Sequence, residues 1–138
     1  MKKTSALCYH DNGIVYEYYR GKRDNVMKKS YRIKKEKEFQ KIIYRKDSYA
    51  NRNFVVYICP AEENPHFRVG LSVGKKIGNA VTRNYVKRLM RESLFELKDN
   101  IKPGFDVVLI ARPNIVGLSL VEVKNNIQHV FKLANIIE

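Results

Sequence analysis

Residues 68–91 read RVGLSVGKKIGNAVTRNYVKRLMR, and this stretch decides the fold. The run from 67 to 73 places apolar side chains at every second position, which predicts a strand. The glycine-bounded segment 74–78 that follows predicts a loop. Asn79 is a favourable N-cap, and the helix it starts is expected to run to about Lys98. The stretch therefore predicts a strand–loop–helix unit.

The flanking segments predict the remaining elements. Segment 34–46 is a basic amphipathic helix, because its apolar residues share one face. Segments 53–59 and 105–111 are rich in β-branched and aromatic residues, which predicts two further strands. Ser119 with Glu122 forms a capping box before a final helix. The order α-β-β-α-β-α, with a possible extra short strand, indicates an α+β or α/β two-layer sandwich with a mixed sheet.

The N-terminal residues 1–29 differ from the rest of the chain. They show no sustained period of 3.6 or 2, so we expect a poorly ordered arm, or a short strand at best. Met27 would make a natural beginning for the globular part, and residues 1–26 are then an extension from an alternative start. Residues 30–138 are expected to form a single domain.

The charge balance indicates a polyanionic partner. The 138 residues include 27 Lys+Arg against 14 Asp+Glu, a formal charge of +13. Such an excess is costly through self-repulsion, which favours nucleic acid first and an anionic membrane second, with a merely basic protein as the alternative. The longest apolar runs fall far short of the ~20 residues that cross a bilayer. With two cysteines and no apolar signal segment, we expect a reduced, cytoplasmic protein.

The predicted helix after Asn79 separates charge from apolar residues. At about 100° per residue, one face carries four cations and an amide, namely Arg83, Asn84, Lys87, Arg88 and Arg91. The opposite face is apolar and contains Val86, Leu89, Met90 and Leu97. Glu92 is the only acid nearby, so we expect the cations to lack partners within the helix and to bind phosphate groups instead. A merely solvated basic face is the alternative interpretation.

The residues before and around this helix favour binding over protein-borne catalysis. Lys75 and Lys76 precede the helix N-terminus, where the dipole also favours an anion. The glycine spacing and Lys-Ser/Thr ending of a P-loop are absent, which argues against nucleotide hydrolysis. No carboxylate pair, Ser/His/Asp set or zinc-ligand spacing indicates an active site or metal site in the protein. Asp106 is interpreted as a solvated turn neighbour.

The stretch 68–91 closely resembles the signature of the bacterial ribonuclease P protein family. That hallmark is an Arg-Asn-Arg helix after a Ser-x-x-Lys-Lys-x-Gly-Asn-Ala-Val segment. The resemblance runs from about Met27 to the C-terminus, and includes Phe39-Gln-Lys and the segment from Ala50 to Tyr57. It departs at Tyr85, which stands where the motif has its second arginine, and at Ile43, where the family often has an aromatic residue.

The resemblance implies a small basic partner of a catalytic RNA, together removing the 5′ leader from precursor tRNA. It implies that magnesium held by the RNA cleaves the bond, with no catalytic or metal-binding residue in the protein and no organic cofactor. Contacts to the catalytic RNA would come from Lys75, Lys76, Arg83, Asn84, Lys87, Arg88 and Arg91. A leader-binding cleft between the first helix and the sheet would contain Phe39, Ile43, Tyr57 and Arg52. Stacking on aromatic rings suits a leader of variable sequence.

The resemblance further implies a left-handed β-α-β crossover, against the usual right-handed rule, with no membrane and no obligate protein partner. Two other function classes stay open on the residues alone. One is a structural RNA-binding protein of ribosomal type without a processing role. The other is a basic enzyme with its own active site. Without the family, Phe39 and Tyr57 would be interpreted as core aromatics.

Overall fold

The fold is described from a computed structural model that covers residues 4–9, 15–20 and 29–137. The strands and helices in chain order are β1 (Thr4–Tyr9), β2 (Val15–Arg20), α1 (Glu36–Tyr44), β3 (Ser48–Ala50), β4 (Phe54–Pro60), β5 (Arg68–Ser72), α2 (Ala80–Leu97), β6 (Phe105–Ala111) and α3 (Leu120–Leu133). The main sheet has the order β3-β4-β6-β5. Its pairs are antiparallel except for β5 with β6, which run parallel. The predicted mixed sheet, with its extra short strand, is confirmed.

Helix starts follow the predicted capping residues. The Asn79 side-chain oxygen accepts a hydrogen bond from the backbone N–H of Thr82 at 2.9 Å, so α2 begins immediately after Asn79. At α3 the capping box is complete, with Glu122 N donating to Ser119 Oγ at 3.2 Å and Ser119 N donating to Glu122 Oε1 at 3.1 Å. These local motifs predict both helix starts because each satisfies backbone donors that the helix itself leaves open.

Helix α1 is shorter than the predicted segment 34–46. It begins at Glu36 behind an N-cap, Lys35, that makes no side-chain hydrogen bond. Two residues after its last turn, Lys46 has a φ of 61°, in the left-handed region that ends helices. A helix of nine residues is marginal in isolation, so α1 depends on its packing against the sheet.

One face of the main sheet, called here the closed face, is covered by α2 and α3. Strand residues such as Val56, Val69 and Leu109 pack there against Leu94 of α2 and Ile127 of α3. The cluster contains twenty-four buried residues from the segment 29–137. Burial of this much apolar surface makes the closed face the main source of stability.

Within the described residues, the opposite face, called here the open face, is covered only by α1 and the segment before it. Its buried cluster has four members, Ile33, Ile42, Cys59 and Val108. Phe39, Tyr57 and Ile110 pack against this cluster while remaining half-buried. The open face therefore has a small core with aromatic rings at its margin.

One edge strand of the main sheet is short, and the other is partly paired with the segment before α1. Strand β3 forms one edge and is three residues long. On β5, at the other edge, the carbonyl of Val69 accepts a hydrogen bond from Ile33 N at 3.0 Å. Helix α2 connects the parallel neighbours β5 and β6, and the handedness of this crossover stays a prediction.

The N-terminal residues form two paired strands, whereas we expected at best one short strand. β1 and β2 pair antiparallel, with Thr4 opposite Arg20 and Tyr9 opposite Val15. Asn12-Gly13 between the two runs is a strong hairpin signal that our sequence analysis did not use. Residues 1–3, 10–14 and 21–28, including Met27, lie outside the described residues. The boundary between the extension and the domain stays a prediction.

Candidate nucleic-acid interface

Helix α2 turns its apolar face into the closed-face core, as predicted. Its buried residues are Val86, Leu89, Met90, Ser93, Leu94 and Leu97. The predicted RNA-binding side chains of α2 lie along the remaining surface and are half-buried, and these are Arg83, Asn84, Lys87, Arg88 and Arg91. The structure therefore brings all five onto one helix, with Asn84, Lys87, Arg88 and Arg91 on the side away from its buried residues and Arg83 at the border of the core.

The expectation that these cations lack partners within the helix is wrong for Arg88. Its Nε lies 3.4 Å from Oε1 of Glu92, one helical turn on, with the two side chains 37% and 38% exposed. Lys87 and Arg91 also have interactions of their own within the chain. A pair such as Arg88–Glu92 is worth only about 0.3–0.5 kcal/mol, because solvent screens it. A phosphate can therefore replace Glu92 at little cost.

Arg83 differs from its neighbours on α2. Its Nε is buried without a hydrogen-bond partner, the only such side-chain atom in the described part of the chain. Arg83 lies within about 20° of Leu94 around the helix, at the border of the core. A buried donor left unpaired costs about 1–3 kcal/mol.

Tyr85, the departure from the family motif, is 55% exposed. The helical angle predicts it at the border of the apolar face, and the structure places it further out into solvent. An exposed ring on α2 is able to stack on a base but cannot replace the charge of an arginine.

The two lysines before α2 are held at its N-terminus by a short 3-10 turn. Lys75 and Lys76 are exposed, whereas Ile77 in the same turn is buried and anchors it. Gly78 then has a φ of 151°, and a Cβ there would lie 3.2 Å from the Cβ of Thr82. The loop therefore requires glycine at this position, and it presents both lysines where the helix dipole attracts anions.

The predicted leader cleft corresponds to the open face. In the register of the sheet, Tyr57 of β4, Val108 of β6 and Gly70 of β5 lie side by side. The ring of Phe39 lies directly on Gly70, since a Cβ built on that glycine would be 2.4 Å from Phe39 Cζ. Phe39 and Tyr57 thus share one surface, with Val108 between them.

Two further residues predicted for the cleft lie nearer its rim. Ile43 is 37% exposed at the end of α1. Arg52 is exposed in the loop before β4, three residues from Val55. The structure does not show contact between Arg52 and the aromatic pair.

The floor of the open face includes residues that our sequence analysis missed. Val55, Ile110 and Ser72 form the next cross-strand row after Tyr57 and are all half-buried. The signal was present in the strict alternation of β4, which puts Val55 on the same face as Tyr57. Val55 and Ile110 extend the apolar surface of the open face, and Ser72 adds a hydroxyl group to the row.

Asp106 is not the solvated turn residue that we expected. Its side chain is 14% exposed and accepts two hydrogen bonds from Arg68, at 2.9 Å from Nε and 2.8 Å from Nη2. The hydrogen bond to Asp106 raises the pKa of Arg68 above its usual range. The partners are 38 residues apart in the chain, and no local pattern could have predicted the pair.

Sites of two other kinds are absent from the described residues. No group of three or more His, Cys, Asp or Glu side chains there is placed to hold a metal ion. No helix in the same residues is long and apolar enough to cross a membrane.

Comparison with known proteins gave consistent matches. The family model for ribonuclease P matches residues 27–135. The ribonuclease P protein component of Enterococcus faecalis is 61% identical over 112 residues, which is 81% of this chain and 95% of that protein. The component from Bacillus cereus is 55% identical over 106 residues, covering 77% of this chain and 92% of the relative.

Solved structures agree with the sequence relatives. The RNase P protein of Staphylococcus aureus superposes with a TM-score of 0.71 at 45% identity, covering 78% of this chain and 98% of that one. The RNase P protein of Thermotoga maritima gives 0.68 at 28% identity, covering 74% and 96%. These matches support a subunit that processes tRNA 5′ ends within an endoribonuclease, and not the ribosomal-type alternative. The chain belongs to the ribonuclease P protein family.

Proposed function

We propose that this chain binds the catalytic RNA of ribonuclease P through α2 and the 5′ leader of precursor tRNA through the open face. The observation that carries the proposal is the chemical difference between these two surfaces of one domain. One surface is cationic and lies on a helix anchored in the main core. The other is aromatic and apolar, and α1 with the segment before it covers it in the described part of the chain. A protein that positions two different RNA segments needs two such surfaces.

The catalytic RNA is assigned to the cationic surface because phosphates match its donors. Arginine donates two parallel hydrogen bonds to a phosphate, and lysine adds point charge. Arg83 is half-buried and adds the exposed part of its guanidinium, and Asn84 can address a ribose 2′-hydroxyl or a base edge. Lys75 and Lys76 continue the same charge beyond the helix N-terminus.

The leader is assigned to the open face because a single strand exposes its bases. Phe39 and Tyr57 offer rings on which any base can stack, at about 1–3 kcal/mol per base. Val55 and Ile110 extend the apolar floor. Ile43 contributes apolar contact without stacking, and Arg52 supplies a charge for the backbone at the rim. None of these contacts reads a particular base, as a leader of variable sequence requires.

Cleavage is assigned to the RNA. The described residues contain no group of acidic, histidine or cysteine side chains suited to a metal. Magnesium is then held by phosphate oxygens of the RNA, and no side chain of this protein carries out the cleavage. The proposed function includes no organic cofactor and no obligate protein partner. It places the protein in the cytoplasm, with the RNA it acts on.

Reconstitution tests this proposal. Precursor tRNA is incubated with magnesium and with the protein alone, the catalytic RNA alone, or both together. We expect no cleavage by the protein alone and faster leader removal by the pair than by the RNA alone. Cleavage by the protein alone would support an enzyme with its own active site. Binding of the RNA without any gain in cleavage would also overturn the proposal.

A further inference from the structure

A charged cluster joins α1 to the open face of the sheet, outside the residues assigned to the leader. Arg68 lies opposite Asp106 in the sheet and donates to both of its carboxylate oxygens, at 2.9 and 2.8 Å. The same Nη2 donates to Oε2 of Glu38 on α1 at 2.7 Å. Asn64, in the loop between β4 and β5, donates to Asp106 at 2.9 Å. One guanidinium thus connects a helix with two neighbouring strands.

The geometry of this cluster fixes the direction of the contact to α1. The Arg68 and Glu38 side chains are 28% and 32% exposed, so both are largely shielded from solvent. The bidentate bond to Asp106 holds the planar guanidinium in one orientation. Asn64 in turn holds Asp106. Asp106 and Asn64 therefore hold the Nη2 atom of Arg68 in a position to donate to Glu38, independently of α1.

The contact to Glu38 lies beside the aromatic part of the open face. Glu38 immediately precedes Phe39 in α1. The ring of Phe39 lies on Gly70, two residues along β5 from Arg68 and on the same face of the sheet. Of the nine residues of α1, only Ile42 is buried. Few contacts hold α1 on the sheet. Among them, the Glu38–Arg68 bond is the ion pair in the helical turn that contains Phe39.

We infer that Arg68 is a positioning residue for the leader: by holding Glu38 it sets the height of α1 above the open face. That height determines the space between Phe39 and Tyr57 in which bases stack. The inference rests on the proposed function of the open face. Loosening the bond misaligns the stacking surface while every side chain that touches the leader remains present.

The test measures binding to the reconstituted holoenzyme with Glu38→Gln, which removes the charge and keeps the size. We expect the Kd for precursor tRNA to rise about fivefold, within the range of coupling between residues in one network. The Kd for mature tRNA, which has no leader, and the affinity for the catalytic RNA stay unchanged. Glu36→Gln is the matched control, because Glu36 is exposed on the same helix, and it should leave all three unchanged.

A double-mutant cycle checks that Glu38 acts through Arg68. Arg68→Met should weaken precursor binding more than Glu38→Gln, and adding Glu38→Gln to it should cause no further loss. Thermal unfolding of each variant identifies any loss of folded protein. A leader-dependent loss is a readout that general destabilisation does not produce, since general destabilisation would lower binding of precursor and mature tRNA alike.

The outcomes separate this inference from the proposed function. If Tyr57→Ala weakens precursor binding and Glu38→Gln does not, the inference is overturned and the leader assignment stands. Equal losses for precursor and mature tRNA in Glu38→Gln would also overturn it. If Tyr57→Ala leaves precursor binding unchanged, the assignment of the leader to the open face fails, and the inference fails with it.

Discussion

The closed and open faces of the main sheet differ in how completely they are covered. Two helices of 18 and 14 residues cover the closed face, whereas one helix of nine residues covers part of the open face. The same strands supply both faces, since alternate residues point to opposite sides. Most apolar strand residues on the closed face are buried, while Tyr57 and Ile110 on the open face remain half-buried. The alternation of strand residues thus gives the sheet one largely buried face and one partly exposed apolar face.

The contrast indicates where substitutions should alter folding and where they should alter function. A residue that is buried among other apolar side chains loses packing when truncated. A half-buried ring has unfilled surface, which is available to a ligand. The following predictions test this division, beginning with the largest expected effect.

Truncation within the closed face should give the largest loss of stability. Leu94 is fully buried between α2 and the sheet, so we expect Leu94→Ala to lower the free energy of unfolding by about 2–5 kcal/mol. Ile43→Ala on the open face removes a similar side chain that is partly exposed, and should cost less than about 1 kcal/mol. Denaturant unfolding of both variants measures the difference. Equal losses would contradict the division between the faces.

Removing the ring of Tyr57 should weaken tRNA binding more than it destabilises the fold. We expect Tyr57→Ala to weaken binding of precursor tRNA to the holoenzyme by about 1–3 kcal/mol, because one stacked base loses its partner. Mature tRNA should bind almost as before. Tyr57→Phe is the matched control, since it keeps the ring and should keep most of the affinity. Competition binding with the two tRNAs gives the ratio, and an equal loss for both would contradict the cleft assignment.

The smallest effect is expected on α2, outside both faces of the sheet. Arg83→Ala should reduce the slope of log affinity for the catalytic RNA against log salt concentration by about 1, because the variant neutralises one phosphate fewer. Lys132→Ala on α3 removes the same charge at an exposed position and should leave the slope unchanged. A salt titration of each variant gives the slopes. Equal slopes for Arg83→Ala and the unsubstituted protein would show that Arg83 binds no phosphate.

Local sequence patterns predicted the elements well where local hydrogen bonds decide them. Asn79 and the Ser119–Glu122 box predicted two helix starts, because each cap acts within three residues of itself. The strand predicted over 105–111 is β6, residue for residue. The Arg88–Glu92 pair could also have been predicted, since opposite charges at i and i+4 on a helix commonly form an ion pair.

Contacts between distant segments could not be predicted in this way. The Glu38–Arg68 bond spans 30 residues and the Arg68–Asp106 bonds span 38, so neither has a sequence pattern of its own. The close approach of Phe39 to Gly70 likewise depends on the seat of α1 on the sheet. The resemblance predicts which residues serve the cleft, but it does not predict what holds the first helix in place.

The edges of the main sheet affect how the free protein behaves before RNA neutralises its charge. Unpaired strand edges invite strand-by-strand association with other chains. Here β3 offers only three residues, and the backbone before α1 occupies part of β5 by bonding to Val69. Because the main sheet has little backbone open for pairing and the chain has a net charge of +13, this sheet resists edge-to-edge association between copies of the chain.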